Sequence, residues 1–326
     1  MTRIVYYSDP NKNPHPVLWN YEYVRQQINE LNFNVEKFEQ GKIYPDDTIF
    51  HIPAKEYYRK LYPLWFHDYR CIIDVKGESL SGRWGGLYSS QDSTKLFLYG
   101  CKEKDQWDNV VYWPEFFWCD SAWYWLENGI HNYNPEKTYQ NTFLMPVRNY
   151  KEQAAWRGSV IEELKDLLPS SIYSIYAENI FLPGSNKNSN VREINYSWFN
   201  DTYFSLTLES YVDPIKPIFL TEKIYKPIGF YHPFLLLGSP YSLATLKEWG
   251  FVTFDNIFDE SYDIIEDLQE KISIVKRNVE NYSYESYTTE TWDRLKHNHN
   301  LFFNKQRILD LTFEKCLIPI KSWCEQ

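Results

Sequence analysis

Several features that define common protein classes are missing from this sequence of 326 residues. Its five cysteines include no Cys-x-x-Cys pair, and no His/Cys cluster has the spacing of metal ligands. No apolar run approaches the roughly 20 residues of a membrane-spanning helix. The first residues, MTRIVYYSDP, contain no apolar secretory core. We therefore expect a cytoplasmic protein with reduced thiols, no structural metal and no membrane span.

The chain also lacks a basic half. Its net charge is −10, and splitting it at Met145 leaves both parts acidic. Binding driven by bulk attraction to phosphate is therefore not expected. Aromatic residues are abundant at 19%, with 28 Tyr, 20 Phe and 13 Trp. Tyr and Trp rings can stack on sugars or bases while offering a polar group, so such contacts are compatible with the composition.

Short apolar runs alternate with helical or turn-rich stretches, which predicts an α/β protein built on parallel sheets. The length suits two domains. We predict two doubly wound, Rossmann-like domains facing a central cleft, over residues 1–138 and 139–290, with a polar linker at 132–140. We also predict a C-terminal helical tail over 291–326, for which packing back on the first domain is one arrangement. The predicted strands are RIVYY, TIFHI, RCIIDV, KLFLYG, VVYW, NTFLMPV, SIYSIYA, YFSLTLES, PFLLLG and FVTF.

The predicted helices of the second half include about 151–168, TEKIYKPIGF, YSLATLKEW and 260–280. The helix of TEKIYKPIGF is the most informative, because Thr221 is a good N-cap and Glu222 and Lys223 follow in the first turn. A helix N-terminus offers N–H groups and a partial positive charge, which suit a diphosphate. Lys223 can add a charged hydrogen bond of about 1.5–3 kcal/mol. An ordinary capped helix with a surface ion pair is the alternative.

This region resembles the C-terminal domain of GT-B glycosyltransferases of the exostosin and α1,3-fucosyltransferase type, over roughly residues 141–285. The resemblance rests on a strand that ends in Glu209, on the Thr-Glu-Lys helix start, and on PFLLLGSP after it. It implies a GT-B fold and a nucleotide-sugar donor bound by the second domain. Fucosyltransferases carry a tyrosine three residues before the glutamate, where this chain has Phe219, so a hydroxyl contact to the nucleotide is missing.

The resemblance further implies an arginine near the start of the second domain against the donor phosphates. The two candidates are Arg148, after a strand, and Arg157, on the next helix; we favour Arg157. An ion pair of Arg157 with Glu162 or Glu163 is the alternative. The predicted donor site comprises Arg148, Arg157, Glu209, Phe219, Thr221, Glu222, Lys223 and Lys226.

The sequence contains no Asp-x-Asp motif, with which transferases of the other common fold hold a metal. We therefore expect no cofactor and no metal, with cations of the protein stabilising the leaving diphosphate. An inverting reaction needs a general base for the acceptor hydroxyl, and the first domain would supply it. The candidates follow predicted strands: Asp9, His15, Asp74 and Glu78, with Glu78 preferred because it opens a Gly-rich loop.

The leading hypothesis is an enzyme that transfers a hexosyl or pentosyl group from a nucleotide sugar to a glycan. A second is a phage-type transferase that glycosylates a hydroxymethylated base in DNA, although DNA favours a basic cleft. A third is a non-catalytic protein that binds a nucleotide or sugar with the same fold.

Overall fold

A computed structural model describes residues 2–6, 22–39, 45, 47–53, 70–74, 95–100, 110–148, 150, 154–186, 192, 194–214 and 218–326. The chain divides into two compact units. The first comprises Met1–Tyr124 and Lys305–Gln326, and the second comprises Trp125–Asn304. Among the described residues each unit contains one sheet, and the strand pairs of both sheets are parallel. No helix in the described part of the chain is long and apolar enough to cross a membrane.

The sheet of the first unit has six strands in the order β2-β1-β3-β4-β5-β6. Its strands are largely apolar, and Ile4, Val5, Ile72 and Ile73 are fully buried, as in a parallel sheet covered on both faces. The strands are β1 (Thr2–Tyr6), β2 (Phe33–Lys37), β3 (Ile49–Pro53), β4 (Cys71–Asp74), β5 (Lys95–Tyr99) and β6 (Val110–Tyr112). The described helices that begin in this stretch are α1 (Glu22–Glu30) and α2 (Phe116–Glu127).

The C-terminal helices belong to this first unit. The Arg70 guanidinium donates to the carbonyl of Cys324 at 3.0 Å, and the amide of Gln27 donates to the carbonyl of Leu309 at 3.0 Å. These long-range bonds tie the end of the chain to α1 and to the start of β4. The helices are α9 (Lys305–Thr312) and α10 (Ile318–Cys324), joined by a π-helical turn at Phe313–Leu317.

The sheet of the second unit has four strands in the order β10-β9-β7-β8. They are β7 (Asn141–Val147), β8 (Ile172–Ile175), β9 (Thr202–Leu208) and β10 (Phe234–Leu237). The described helices of the unit are α3 (Trp156–Glu163), α4 (Tyr196–Asn200), α5 (Glu222–Gly229), α6 (Ser242–Glu248), α7 (Leu268–Glu280) and α8 (Thr289–Phe302). Phe302 of α8 stacks on Tyr225 of α5 with a centroid distance of 5.7 Å, so α8 covers α5 within this unit.

Three local predictions differ from the structure. Within the range 151–168, predicted as a helix, the structure has an α-helix at Trp156–Glu163 and turns at 164–167. The range 260–280, also predicted as a helix, contains a 3₁₀ turn at Ser261–Ile264 and then α7. FVTF is not a strand, because side chains take its amides: Val252 donates to Asn298 Oδ1 and Phe254 to Glu260 Oε1, both at 2.8 Å.

The segment 132–140, predicted as a linker, is held by the second unit. The Thr138 amide donates to the carbonyl of Asn200 at 2.9 Å, and the Lys137 ammonium donates to the carbonyl of Phe199 at 2.8 Å. Burial lowers the pKa of Lys137 to about 7. The neighbouring His232 is fully buried, and burial together with Lys137 lowers its pKa well below the ordinary value.

The stability of this unit should therefore rise with pH above neutrality. The pKa of Lys137 is about 7 in the folded chain and 10.5 when exposed, so between these values the unfolded chain binds more protons. We expect the free energy of unfolding of the wild type, relative to Lys137→Met, to increase from pH 7 to pH 9. The increase is at most about 1.4 kcal/mol per pH unit. Urea unfolding at both pH values measures it.

The matched control for this experiment is Lys296→Met, because the Lys296 side chain is 63% exposed. The difference in the free energy of unfolding between Lys296→Met and the wild type should be the same at both pH values. If the free energy of unfolding of Lys137→Met, relative to the wild type, is equally independent of pH, the lowered pKa of Lys137 in the folded chain is contradicted.

Candidate functional site

The carboxyl edge of the second sheet contains a topological switch point. The chain leaves β7 for β8 on one side and leaves β9 for β10 on the other, so the connections diverge between β7 and β9. In open parallel α/β sheets, ligands bind in the crevice at such a point. Arg148 directly follows β7 and Glu209 directly follows β9. These two predicted residues therefore lie at the edge of the sheet where a ligand site is expected.

Glu209 is fully buried at this edge. Its Oε1 accepts a hydrogen bond from the Thr221 amide at 2.9 Å, and its Oε2 accepts one from the Thr221 hydroxyl at 2.6 Å. Burial raises the pKa of Glu209, while Lys223 and the two bonds from Thr221 act in the opposite direction. Both carboxylate oxygens are thus used to fix the residue that precedes α5.

Thr221 occupies the predicted N-cap position but does not cap the helix with its side chain. Its hydroxyl donates to Glu209 and accepts from the Lys223 ammonium at 2.8 Å. The capping prediction was wrong in this respect, because the hydroxyl oxygen accepts from the charged Lys223 ammonium and not from an amide of the first turn. A relay of hydrogen bonds therefore connects Glu209 to Lys223.

Lys223 also donates to Glu222 Oε1 at 3.2 Å. The side chains of these two residues are 26% and 17% exposed, so the pair is partly accessible at the start of α5. Burial acts to raise the pKa of Glu222, but Lys223 and Lys226 outweigh it and the pKa lies below the ordinary value. Glu222 is thus an ionised acceptor next to two cations.

Arg157 is buried and supports the backbone. Its Nε donates to the carbonyl of Glu209 at 3.2 Å, and its Nη2 donates to the carbonyl of Leu208 at 3.0 Å. Burial lowers the pKa of Arg157, and the charges of Glu209 and Glu222 partly offset this.

The two glutamates named as alternative partners of Arg157 pair elsewhere. Glu162 pairs with Lys165 at 2.6 Å and Glu163 with Lys276 at 2.9 Å. These pairs lie on the exposed surface, where the lysines are in reach of the helix.

Arg148 is exposed at the end of β7, and its guanidinium lies 5.8 Å from the centre of the Tyr176 ring. A planar guanidinium in this position can bind phosphate oxygens in a fork. Of the two arginines predicted at this site, Arg148 is the accessible one and Arg157 is the buried one.

Phe219 is buried at 5% exposure and packs against Tyr211 with a centroid distance of 5.7 Å. Lys226 lies half-buried on α5, one turn after Glu222. Asp74 is the last residue of β4, in the first unit. Asp9, His15 and Glu78, the other candidates for a general base, lie outside the described residues.

Sequence reasoning missed Asp263 and Lys271, whose side chains bind backbone groups that follow β10. The Asp263 carboxylate accepts from the amides of Leu243 and Ala244, at 2.9 and 3.1 Å, and so neutralises the N-terminus of α6. The Lys271 ammonium donates to the carbonyl of Gly238 at 3.1 Å. Both contacts join residues 19 or more positions apart, and no local motif signals them.

Within the described ranges, no group of three or more His, Cys, Asp or Glu side chains is arranged to hold a metal ion. The predicted donor residues and the expected absence of a metal remain predictions.

The architecture defines the class of fold: a mixed α/β protein with parallel sheets of the GT-B type. No protein-family model matches the sequence, and no curated protein sequence matches it. Among solved structures, the chain is similar to an α1,3-fucosyltransferase with GDP, at a TM-score of 0.50 and 13% identity over 99% of this chain and 90% of that one. A second α1,3-fucosyltransferase structure has a TM-score of 0.50 and 12% identity, over 95% of this chain and 88% of that one. The predicted resemblance is confirmed at the level of the fold.

Removing the Thr221 hydroxyl should destabilise the protein. In Thr221→Val, Oε2 of Glu209 loses its donor while fully buried, which costs about 1–3 kcal/mol. Thr221→Ser keeps the hydroxyl and should recover most of the loss. Thr142→Val is the control, since that exposed hydroxyl has only a 3.4 Å contact with Ser170, and we expect a change within about 0.5 kcal/mol. Equal effects of Thr221→Val and Thr142→Val in urea unfolding would contradict the relay.

Proposed function

We propose that the chain is a glycosyltransferase that moves a hexosyl or pentosyl group from a nucleotide-sugar donor to a hydroxyl of a glycan. Two findings support this: the fold is that of α1,3-fucosyltransferases, and one of those neighbours was crystallised with GDP. Fold alone does not define an activity, so the proposal rests on the site as well.

The observation that carries the proposal is the position of Lys223. Its ammonium lies at the start of α5, held by Thr221 at 2.8 Å and by Glu222 at 3.2 Å, beside the switch point of the sheet. The helix dipole and the ammonium both favour an anion at this point. A nucleoside diphosphate seated here would place its phosphates against Lys223 and the exposed Arg148, and its ribose hydroxyls within the reach of Glu222.

The proposed reaction does not use a metal. The cations of the proposed diphosphate site are Arg148, Lys223 and Lys226, and the ionised Glu222 is their counter-charge. These cations and the helix N-terminus stabilise the negative charge that develops on the leaving diphosphate.

The proposed mechanism is inverting. The acceptor hydroxyl oxygen forms a bond to the anomeric carbon as the bond from that carbon to the diphosphate oxygen breaks. The hydroxyl proton passes to a general base of the first unit, and the nucleoside diphosphate leaves. Asp9, His15, Asp74 and Glu78 are the candidate bases, all in the part of the chain that precedes α2. A glycan acceptor fits the net charge of −10 better than DNA does.

Nucleotide binding should depend on Lys223. We expect one of UDP, GDP, CMP, dTDP and ADP to stabilise the wild type in a thermal-shift screen with EDTA present throughout. Ligand at 100 times its dissociation constant adds about 2.7 kcal/mol. Lys223→Ala should lose most of this shift, because a charged hydrogen bond to a phosphate is worth about 1.5–3 kcal/mol.

The matched control is Lys296→Ala, an exposed lysine on α8 that should keep the full shift. The absence of a shift with all five nucleotides, or equal shifts for both lysine variants, would count against a donor site at α5.

The two arginines should separate binding from stability. Arg148→Ala removes an exposed guanidinium, so the affinity for the nucleotide should fall. The free energy of unfolding should change by no more than about 0.5 kcal/mol. Arg157→Ala leaves the carbonyls of Leu208 and Glu209 without their buried donor. The free energy of unfolding should therefore fall by about 2 kcal/mol or more. Calorimetric titration and urea unfolding of both variants test this. The reverse pattern, with Arg157 needed only for binding, would refute the division of roles.

A further inference from the structure

Tyr241 has a strained backbone and an exposed ring. It lies just before α6 with φ of +68° and ψ of 18°, in the left-handed region that non-glycine residues rarely adopt. Its side chain is 54% exposed, although burial of an aromatic ring is a main source of stability. Strain of this kind is retained where the surrounding structure imposes it, and such positions cluster at ligand sites.

The backbone of Tyr241 is held in place by three hydrogen bonds. Its amide donates to the carbonyl of Asp263 at 2.8 Å, and its carbonyl accepts from both the amide and the hydroxyl of Thr245 at 2.9 Å. Asp263 in turn binds the first amides of α6. The ring is therefore presented from a rigid platform and not from a loose loop.

Two other tyrosines of this unit have left-handed backbones, and each is compensated by stacking. Tyr139, with φ of 52°, stacks on Tyr203 at 4.4 Å, and Tyr231, with φ of 52°, stacks on His299 at 4.2 Å. No ring in the described part of the chain stacks on Tyr241. Because Tyr241 is 54% exposed and lacks such a neighbour among the described residues, a planar partner from outside the chain is the candidate to cover its ring.

Tyr241 lies at the same edge of the sheet as the Lys223 cluster. It follows β10 by four residues, and a Cβ added to Gly238 would lie 3.6 Å from Cβ of Glu209. The three residues from Gly238 to Tyr241 can span at most about 11 Å. The ring is therefore within reach of a molecule whose phosphates sit at α5.

We propose that Tyr241 stacks on the base of the nucleotide donor and so acts as a binding residue at the site described above; this rests on the proposed function. Phe219 is only 5% exposed and offers little ring surface to a base, whereas Tyr241 offers half of its side chain. The exposed Ile264 follows Asp263, the residue that holds the Tyr241 amide, and extends the apolar surface at this point.

The test compares nucleotides with inorganic pyrophosphate by calorimetric titration of the full chain. Stacking of a base on an aromatic ring contributes enough that its loss should raise the dissociation constant of a nucleoside diphosphate at least about five-fold in Tyr241→Ala. Pyrophosphate has no base, so its dissociation constant should stay within about two-fold of the wild type. Tyr241→Phe keeps the ring and should bind the nucleotide normally. Tyr284→Ala, which removes a tyrosine that is 67% exposed, is the matched control and should bind like the wild type.

Tyr241→Gly provides a readout that a structural role would not give. Glycine adopts the left-handed conformation without strain, so this variant should melt at the same or a higher temperature while it binds the nucleotide as weakly as Tyr241→Ala. A lower melting temperature, or unchanged nucleotide affinity in either variant, would overturn the inference.

Failure of the inference can be told apart from failure of the proposed function. If the wild type binds a nucleotide and Lys223→Ala weakens both that nucleotide and pyrophosphate, the donor site stands whatever Tyr241 does. If the wild type binds none of the five nucleotides, the function and the inference fall together.

Discussion

The bond between Glu209 and Thr221 is the constraint on which the rest of the candidate site depends. A carboxylate that is fully removed from water needs donors for both oxygens, and Thr221 supplies one with its amide and one with its hydroxyl. These two bonds fix where α5 begins relative to the end of β9. Because the hydroxyl of Thr221 is committed to Glu209, its lone pair is directed to Lys223. The place of the ammonium thus follows from the burial of one carboxylate.

Arg157 binds the backbone on either side of the point where β9 ends. The carbonyls of Leu208 and Glu209 lie at the end of β9, and a buried carbonyl needs a donor. Arg157 reaches two of them from α3, the helix that follows β7. One guanidinium therefore joins the two sides of the switch point, and its charge lies close to that of Glu209. This arrangement leaves Arg148 as the arginine that faces solvent at the same edge.

The sequence was sufficient to predict elements whose signal is local. Nine of the ten predicted strands coincide with strands of the structure, because apolar runs of four to seven residues mark buried parallel strands. The prediction of a strand at FVTF failed because two of its amides donate to side chains, that of Asn298, 46 residues away, and that of Glu260, six residues away.

The site was predicted in part for the same reason. Glu209 was named as the end of a strand, and Thr221, Glu222 and Lys223 were named as a helix start; the structure brings the four together. No motif predicted the carbonyl contacts of Arg157 or the capping of α6 by Asp263, because these contacts join segments that are distant in the sequence. The left-handed backbone of Tyr241 was not predicted either.

The two helices that begin at the carboxyl edge beside β9 and β10 differ in what their N-termini can accept. At α6 the carboxylate of Asp263 already binds the amides of Leu243 and Ala244, so the partial positive charge of that helix is compensated within the fold. At α5 the buried carboxylate of Glu209 binds the amide of Thr221, the residue before the helix, whereas the Thr221 side chain does not cap the first turn. That turn carries the partly exposed pair of Glu222 and Lys223. An incoming diphosphate can take the place of Glu222 as the acceptor of the Lys223 bond, whereas at α6 it would have to displace a buried carboxylate. In the proposed donor site the diphosphate therefore binds at α5, and the base attached to it is the group that we propose to stack on Tyr241.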